Sequence, residues 1–238
     1  MHLFWKLLAF VAILISQFTL HDRALAETPL AYSLEPMQAE FILPNLSQSF
    51  TLRNLTEVPR NLRIEVLDRR QDGEREINRK TSELRVLESR IQLPPESSKT
   101  FLVEYRGPKE LKLERAYRLI VTDETLGTST KDSLRLSYRA SIFVREQAHA
   151  PDLFVRSWKS TGGARFEVVL KNRGKVRQAL AGLGFQGLEL AKDSVRSLEA
   201  GVLLAGAERK LNLEVTDPHQ IEAAKTASGL VLRFPAEN

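Results

Sequence analysis

One stretch constrains this chain more than any other. "DSLRLSYRASIFVRE", residues 132–146, alternates for its whole length. Leu134, Leu136, Tyr138, Ala140, Ile142 and Val144 share one parity. Arg135, Ser137, Arg139, Ser141 and Arg145 share the other, with Phe143 the exception. Successive side chains of a strand point to opposite faces, so the segment reads as a strand with one apolar and one basic, small-residue face. On alternation alone the apolar face belongs in the chain's own sandwich core.

The same period recurs upstream. "YSLEPMQAEFIL", "QSFTLRNL", "RNLRIEVLDRR", "ELRVLESRIQL", "KTFLVEYRG" and "ERAYRLIVTDE" are short strand candidates. They are separated by turn-forming breaks such as "LPNLS", "RRQDGE", "LPPESS" and "RGPKE". With the opening segment they make seven, the number and spacing of an immunoglobulin-like sandwich. Pro36 cannot donate to a ladder, so the first candidate is expected at an edge or at a change of sheet. After "REQAHAPDL" the pattern resumes in short strands with Gly-rich breaks, and only "HQIEAAKTA" has helical composition. "FTLRNLTEVPRNLRIEVL" and "FEVVLKNRGKVRQALAGL" both run strand, Asn, turn, strand. The expectation is all-β: two immunoglobulin-like β-sandwich domains over 27–146 and 151–238, with a linker at 147–150.

Before them, residues 1–26 read as a secretory signal peptide. Lys6 precedes an apolar run from Leu7 to Leu20, and Ala24-Leu25-Ala26 is an A-x-A cleavage site. The run is shorter than the roughly 20 apolar residues of a spanning helix, so no membrane insertion is expected after cleavage. Cleavage would take Lys6, Arg23 and Asp22 from the net +5 and leave +4, dispersed along the chain. That is no nucleic-acid footprint, which needs clustered cations. The absence of cysteine in an exported chain of this size points to a bacterial envelope.

Composition also narrows the chemistry. His149 and His219 are the only histidines of the mature chain, too few for a transition-metal site, and no metal or cofactor is expected. Gly182, Gly184 and Gly187 fit G-x-G-x-x-G but read as turn glycines in a strand-rich half. Asp68, Asp72, Glu74 and Glu76 interleave with Arg69, Arg70, Arg75 and Arg79, which reads as a solvated hairpin tip. Nothing in the chain looks like an enzyme.

Taken in order, these motifs resemble the periplasmic chaperones of chaperone–usher pili. The likeness rests on "IQLPPESSKTFLVEYRGPKELKLERAYRLIVTD" followed by "SLRLSYRASIFVRE", on "LRNLTEVP", and on "VVLKNRGKVRQALAGL" with "VLLAGAERKLNLEV". The resemblance implies two immunoglobulin-like domains set as a boomerang, acting in the periplasm on pilin-like subunits and with an outer-membrane usher. It implies donor-strand complementation: strand G pairs as an edge strand with a subunit that lacks its last strand. Leu134, Leu136 and Tyr138 would then be the donated side chains. The family also grips the subunit's C-terminal carboxylate with an Arg and a Lys. Here Gln38 and Ser141 stand at those positions, and neither can neutralise a charge. Arg139, two residues from Ser141, is the expected substitute anchor. Glu114 and Arg145 match two members of an interdomain charged cluster and are expected to pair. Two alternatives stay open: a diverged envelope binding or scaffold protein that has lost the carboxylate grip, and a secreted carbohydrate-binding or adhesive sandwich.

Overall fold

The computed structural model describes residues 31–73, 75–125, 137–146, 150, 152–199, 201–226 and 230–234. The expected signal peptide, most of the linker, and Leu134 and Leu136 lie outside them. The first half runs β1 (Tyr32–Glu35), β2 (Gln38–Ile42), β3 (Ser47–Asn54), β4 (Arg60–Asp72), β5 (Arg75–Lys80), β6 (Leu84–Val86), β7 (Arg90–Leu93), β8 (Ser98–Tyr105), β9 (Arg115–Asp123) and β10 (Ser137–Arg145). One sheet has the order β1-β3-β8-β6; the other has the order β2-β10-β9-β4-β5, with β7 also beside β4. Between them lies a core built from one parity of each strand. Phe50 and Leu52 come from β3, Phe101 and Val103 from β8, Tyr117 and Leu119 from β9, and Ala140, Ile142 and Val144 from β10.

Two changes of sheet shape this half. β1 and β2 are edge strands of different sheets, and Pro36 stands at the crossing. A residue without an N–H is tolerated where the ladder is interrupted anyway. "ELRVLESRIQL" is not one strand: β6 joins β8 in the first sheet, and β7 joins β4 in the second. The arginine-rich segment is a hairpin, β4 against β5, with Asp72 opposite Arg75 and Gly73 at φ 60° in the turn. Only a residue without a Cβ adopts that conformation freely.

The second half holds a separate core around Phe166, Val168, Leu170, Phe185, Leu211 and Ile221. Its strands are β11 (Leu153–Gly162), β12 (Arg165–Asn172), β13 (Gln178–Ala179), β14 (Gly184–Phe185), β15 (Val202–Leu203), β16 (Glu208–Glu214) and β17 (Leu232–Arg233). β11-β12-β16 is an antiparallel sheet; β13 pairs β15 and β14 pairs β17. The glycine motif is a pair of turns, with Gly182 and Gly187 at φ 72° and 75° on either side of β14.

The second half holds a helix beyond the one expected from "HQIEAAKTA", in a stretch expected to be strand and turn. α1 (Lys192–Glu199) buries Ser194 and Leu198, one helical turn apart, and carries Asp193 in its first turn and Arg196 in its last. α2 (His219–Thr226) runs two turns, and Asp217 Oδ1 accepts the His219 N–H at 2.9 Å as its cap.

The resemblance between the halves is physical. Asn54, at the end of β3, donates from Nδ2 to the carbonyls of Val58, Leu93 and Pro94 at 2.8, 3.3 and 2.9 Å. Asn172, at the end of β12, donates from Nδ2 to Val176, Leu203 and Leu204 at 2.8, 3.2 and 3.3 Å. Each Oδ1 accepts a backbone N–H two residues on, from Thr56 and Gly174. Both side chains are buried, so each stitches a turn to a distant segment of its own half. Replacing either amide by a carboxylate sets an anion among three carbonyls. Asn54→Asp and Asn172→Asp are each expected to lose on the order of 3 kcal/mol in urea unfolding, with the midpoint lowered and the slope unchanged.

Candidate functional site

The alternating segment gains a second partner halfway along β10. β9 pairs with it antiparallel from Ser137 to Val144. On its other side β2 pairs parallel, but only from Ser141, opposite Gln38, to Arg145, opposite Ile42. The Ser141 N–H donates to Met37 O at 2.9 Å, which closes the start of that ladder. Residues 137–140 have no described strand on the β2 side. Tyr138 sits at this transition, half-buried, its ring 4.7 Å from that of Tyr32 in an edge-on contact. Its hydroxyl is buried without a hydrogen-bond partner among the described residues, and burial raises its pKa. Tyr138 therefore packs on the chain's own core, because it shares parity with Ala140, Ile142 and Val144.

The opposite parity of β10 forms an outer face, and there the two expected anchor positions do meet, Gln38 beside Ser141. Arg139 is exposed on the same face, and the cation bonded to Ser141 is Arg118 of β9, in register with it. Arg118 Nη1 donates to Ser141 Oγ at 2.6 Å. Its Nε and Nη2 donate to the two carboxylate oxygens of Glu76 on β5, at 2.8 and 2.7 Å. Glu76 also accepts from Arg69 Nε at 2.9 Å and from Asn78 Nδ2 at 3.2 Å. The Arg118 hydrogen bonds, against an opposing push from burial and with Arg69 adding its charge, hold the Glu76 carboxyl down to about 2. Burial, with Arg118 nearby, lowers the pKa of Arg69. Sequence reasoning missed Arg118, although it sits at an outward position of "ERAYRLIV" next to the strand already under scrutiny.

The expected Glu114–Arg145 pair is not formed. Arg145 Nη2 donates to Glu40 Oε2 at 3.1 Å, and Glu114 is bound instead by Arg177 of the second half. Arg177 Nη1 donates to Glu114 Oε2 at 2.6 Å, its backbone N–H donates to Glu114 Oε1 at 2.9 Å, and its Nη2 also reaches Glu40. Its guanidinium lies 3.7 Å from the Phe143 ring centroid. Glu114 and Arg145 thus belong to one cluster, bridged by Arg177 and Glu40. The physical reason is reach: Arg145 faces Glu40 across the parallel β2–β10 pair, while Glu114 precedes β9 and faces the second half. Burial pushes the Glu114 carboxyl up despite Arg177, whereas at Glu40 the two arginines outweigh burial and bring it down.

A second clamp lies at the far end of β4. The Gln71 side chain donates to Val202 O at 2.9 Å and accepts the Leu204 N–H at 2.8 Å, as a strand neighbour would. Between the clamps, Phe143 and Ala116 pack on Leu204, with Val202 and Ala207 around them. The exception in the opening alternation is therefore an interdomain contact. Among the described residues no His, Asp and Glu grouping is suited to a metal ion.

Solved structures share this fold. The CsuC–CsuE chaperone–tip adhesion subunit pre-assembly complex, from the archaic chaperone–usher Csu pili of Acinetobacter baumannii, matches with a TM-score of 0.59 and 18% identity. The match covers 76% of this chain and 86% of that one. The E. coli chaperone DraB matches at 0.52 and 16%, over 77% and 86% of the two chains. The Salmonella enterica SafA pilin in complex with the SafB chaperone matches at 0.52 and 12%, over 77% and 83%. No family model and no curated protein sequence matches the chain. The likeness is one of fold: the chain has the two-domain β-sandwich architecture of pilus-assembly chaperones.

Removing Arg177 leaves the buried Glu114 carboxylate without its cation. Arg177→Ala is expected to cost about 3–5 kcal/mol in chemical unfolding and, combined with Gln71→Ala, to raise the radius of gyration in small-angle scattering. The Glu76 carboxyl, held below its ordinary 4.5, contributes stability that is full above pH 4.5 and lost as pH falls through about 2. Acid titration of stability should show that decline in the unmodified chain and lack it in Glu76→Gln.

Proposed function

We propose that this chain is a non-enzymatic periplasmic chaperone that stabilises pilin-like subunits by lending them a strand and delivers them for pilus assembly. The observation that carries the reading is the half-paired state of β10. From Ser141 on it is an interior strand; from Ser137 to Ala140 no strand among the described residues pairs with its β2 side, which we read as the edge offered to another chain. Exposed main-chain donors and acceptors in such an edge are a template for strand addition. Leu134 and Leu136 continue the apolar parity in sequence, and we assign them as the side chains offered to the subunit, with Tyr138, packed on the chain's own core, marking where the offered stretch ends. Of the proteins sharing the fold, CsuC and SafB are found with a tip adhesion subunit and a pilin, which supports a partner of the same kind here.

The remaining assignments follow from this reading. Residues 1–26 direct export and are removed, 27–146 form the subunit-binding domain, 147–150 link it to 151–238, and an outer-membrane usher receives the loaded complex. Among the described residues no helix is long and apolar enough to cross a membrane. One observation favours a second reading, an envelope binding or scaffold protein that has lost the subunit grip: Gln38 and Ser141 both lack charge.

Co-purification from the periplasm separates the two. A pilin is expected to accompany the wild-type chain and to be lost on Leu136→Glu, which puts a charge on the offered face, but not on Lys225→Ala in the exposed helix α2. A monodisperse chain that carries no pilin in either form sinks the chaperone reading and leaves the scaffold.

A further inference from the structure

β4 outruns its neighbour. Its pairing with β9 ends at Arg69, opposite Ala116, while β5 stays paired on the other side to Asp72. Past that point β4, residues 113–116 and the 204–207 turn of the second half line a cavity of about 330 Å³. A volume of this order suits a small molecule. The cavity lies on the β4 side of the sheet, with β9 between it and β10. Its walls meet where Gly206 approaches Leu113: a Cβ on that glycine would stand 3.3 Å from Leu113 Cδ1.

Charge around the cavity is matched except at one residue. Asp68 is bonded by Arg70, Glu83 by Arg115, and Glu114 and Glu40 lie between Arg177 and Arg145. Glu76 is shared by Arg118 and Arg69, which have no other carboxylate among the described residues. Arg118 holds it with two hydrogen bonds and Ser141 with a third, whereas Arg69 has one, through Nε. The Arg69 side chain is only 8% exposed and lines the cavity. Its Nη1 and Nη2 make no hydrogen bond among the described residues, and neither is fully sealed in. A buried cation with a single bond is short of a counter-charge. Burial, with the charges of Arg118 and Arg177, pushes its pKa down against the pull of Glu76. The opposite wall offers donors. Residues 204–207 form a type II turn, in which the Ala207 N–H donates to Leu204 O at 3.1 Å and Gly206 stands at φ 71°. The N–H groups of Ala205 and Gly206 make no hydrogen bond among the described residues. Successive free N–H groups in a turn favour an anion.

We infer that this interdomain cavity binds a phosphate group, free or as the head of a small phosphomonoester, between the Arg69 fork and the 204–207 turn. A guanidinium takes phosphate oxygens in pairs, and a tetrahedral group keeps further oxygens for the N–H groups across the cavity. A planar carboxylate on the same fork has none to spare. Bound there, the phosphate supplies the charge that Arg69 lacks and joins the halves at a third point, beside the Arg177 and Gln71 clamps. Nothing in this site involves the edge of β10, so it stands or falls apart from strand lending.

The test uses the full mature chain and three probes at one ionic strength: inorganic phosphate, glycerol 1-phosphate and acetate. The Gly206 amide signal in nuclear magnetic resonance titration reports both affinity and place. Phosphate should move that signal and raise the melting temperature, and acetate should bind about tenfold more weakly. Arg69→Gln should weaken phosphate about tenfold, the scale of one charge-assisted hydrogen bond. Ala205→Pro removes one donor at a turn position that proline favours. It should weaken phosphate about fivefold and leave the melting temperature without phosphate unchanged. That variant keeps Arg69, so it decides the matter even where Arg69→Gln does not fold. Arg165→Ala, an exposed arginine of the second half, should bind as the unmodified chain does. Tighter binding of glycerol 1-phosphate than of inorganic phosphate assigns the site to an ester, and the reverse assigns it to the free ion; both support it. If no probe moves the Gly206 signal beyond sodium chloride, there is no anion site here. If acetate binds as tightly as phosphate, or either folded variant binds phosphate as tightly as the unmodified chain, the proposal fails.

Discussion

The pairing of β2 with the second half of β10 is the constraint on which the rest depends. By pairing only from Ser141, β2 closes one edge of the core around Phe41, Ile142 and Val144, and among the described residues no strand continues that pairing over Ser137–Ala140. The same register puts Gln38 beside Ser141 and Glu40 beside Phe143, so the open edge and the interdomain cluster are set by one ladder. The chain can make this arrangement because it leaves one sheet at Pro36 and enters the other immediately after it. A strand that stayed in its first sheet would leave the whole of β10 as an edge.

The two halves are joined by chemistry of different kinds at two points. Arg177 brings charge, stacking on Phe143 while it satisfies a buried and a half-exposed carboxylate. Gln71 brings no charge, only an amide that reads a backbone donor and acceptor of the second half. Apolar contact among Ala116, Phe143 and Leu204 fills the space between. A guest on the open edge of β10 would lie close to this junction, since Ser141 and Phe143 are neighbours on one face of one strand.

Much of the fold was legible because period two is a local signal. The strands of the first half, the hairpin of the arginine-rich segment, the role of Pro36 and the paired asparagines all follow from residues near one another in the chain. The misreadings have equally local causes. "ELRVLESRIQL" changes apolar parity between Val86 and Leu87, but a parity break alone does not say that its two ends belong to different sheets. "KDSVRSLE" buries only Ser194 and Leu198, a pattern too sparse to announce a helix. Phe143 was visible as a break in alternation, but a break does not name what it meets.

By itself, then, the amino-acid order determined which faces of the strands are apolar, where the chain turns, and that one long strand has a basic outer side. These are properties of a residue and its near neighbours, governed by side-chain alternation and turn geometry. Only the tertiary structure decided which charges meet. Arg118 reaches Ser141 from a neighbouring strand 23 residues away in sequence, Glu76 reaches Arg118 across 42, and Arg177 reaches Glu40 across 137. A guanidinium finds whatever carboxylate the sheet register brings within about 3 Å, and register between distant strands is settled by packing the whole core, not by any one segment.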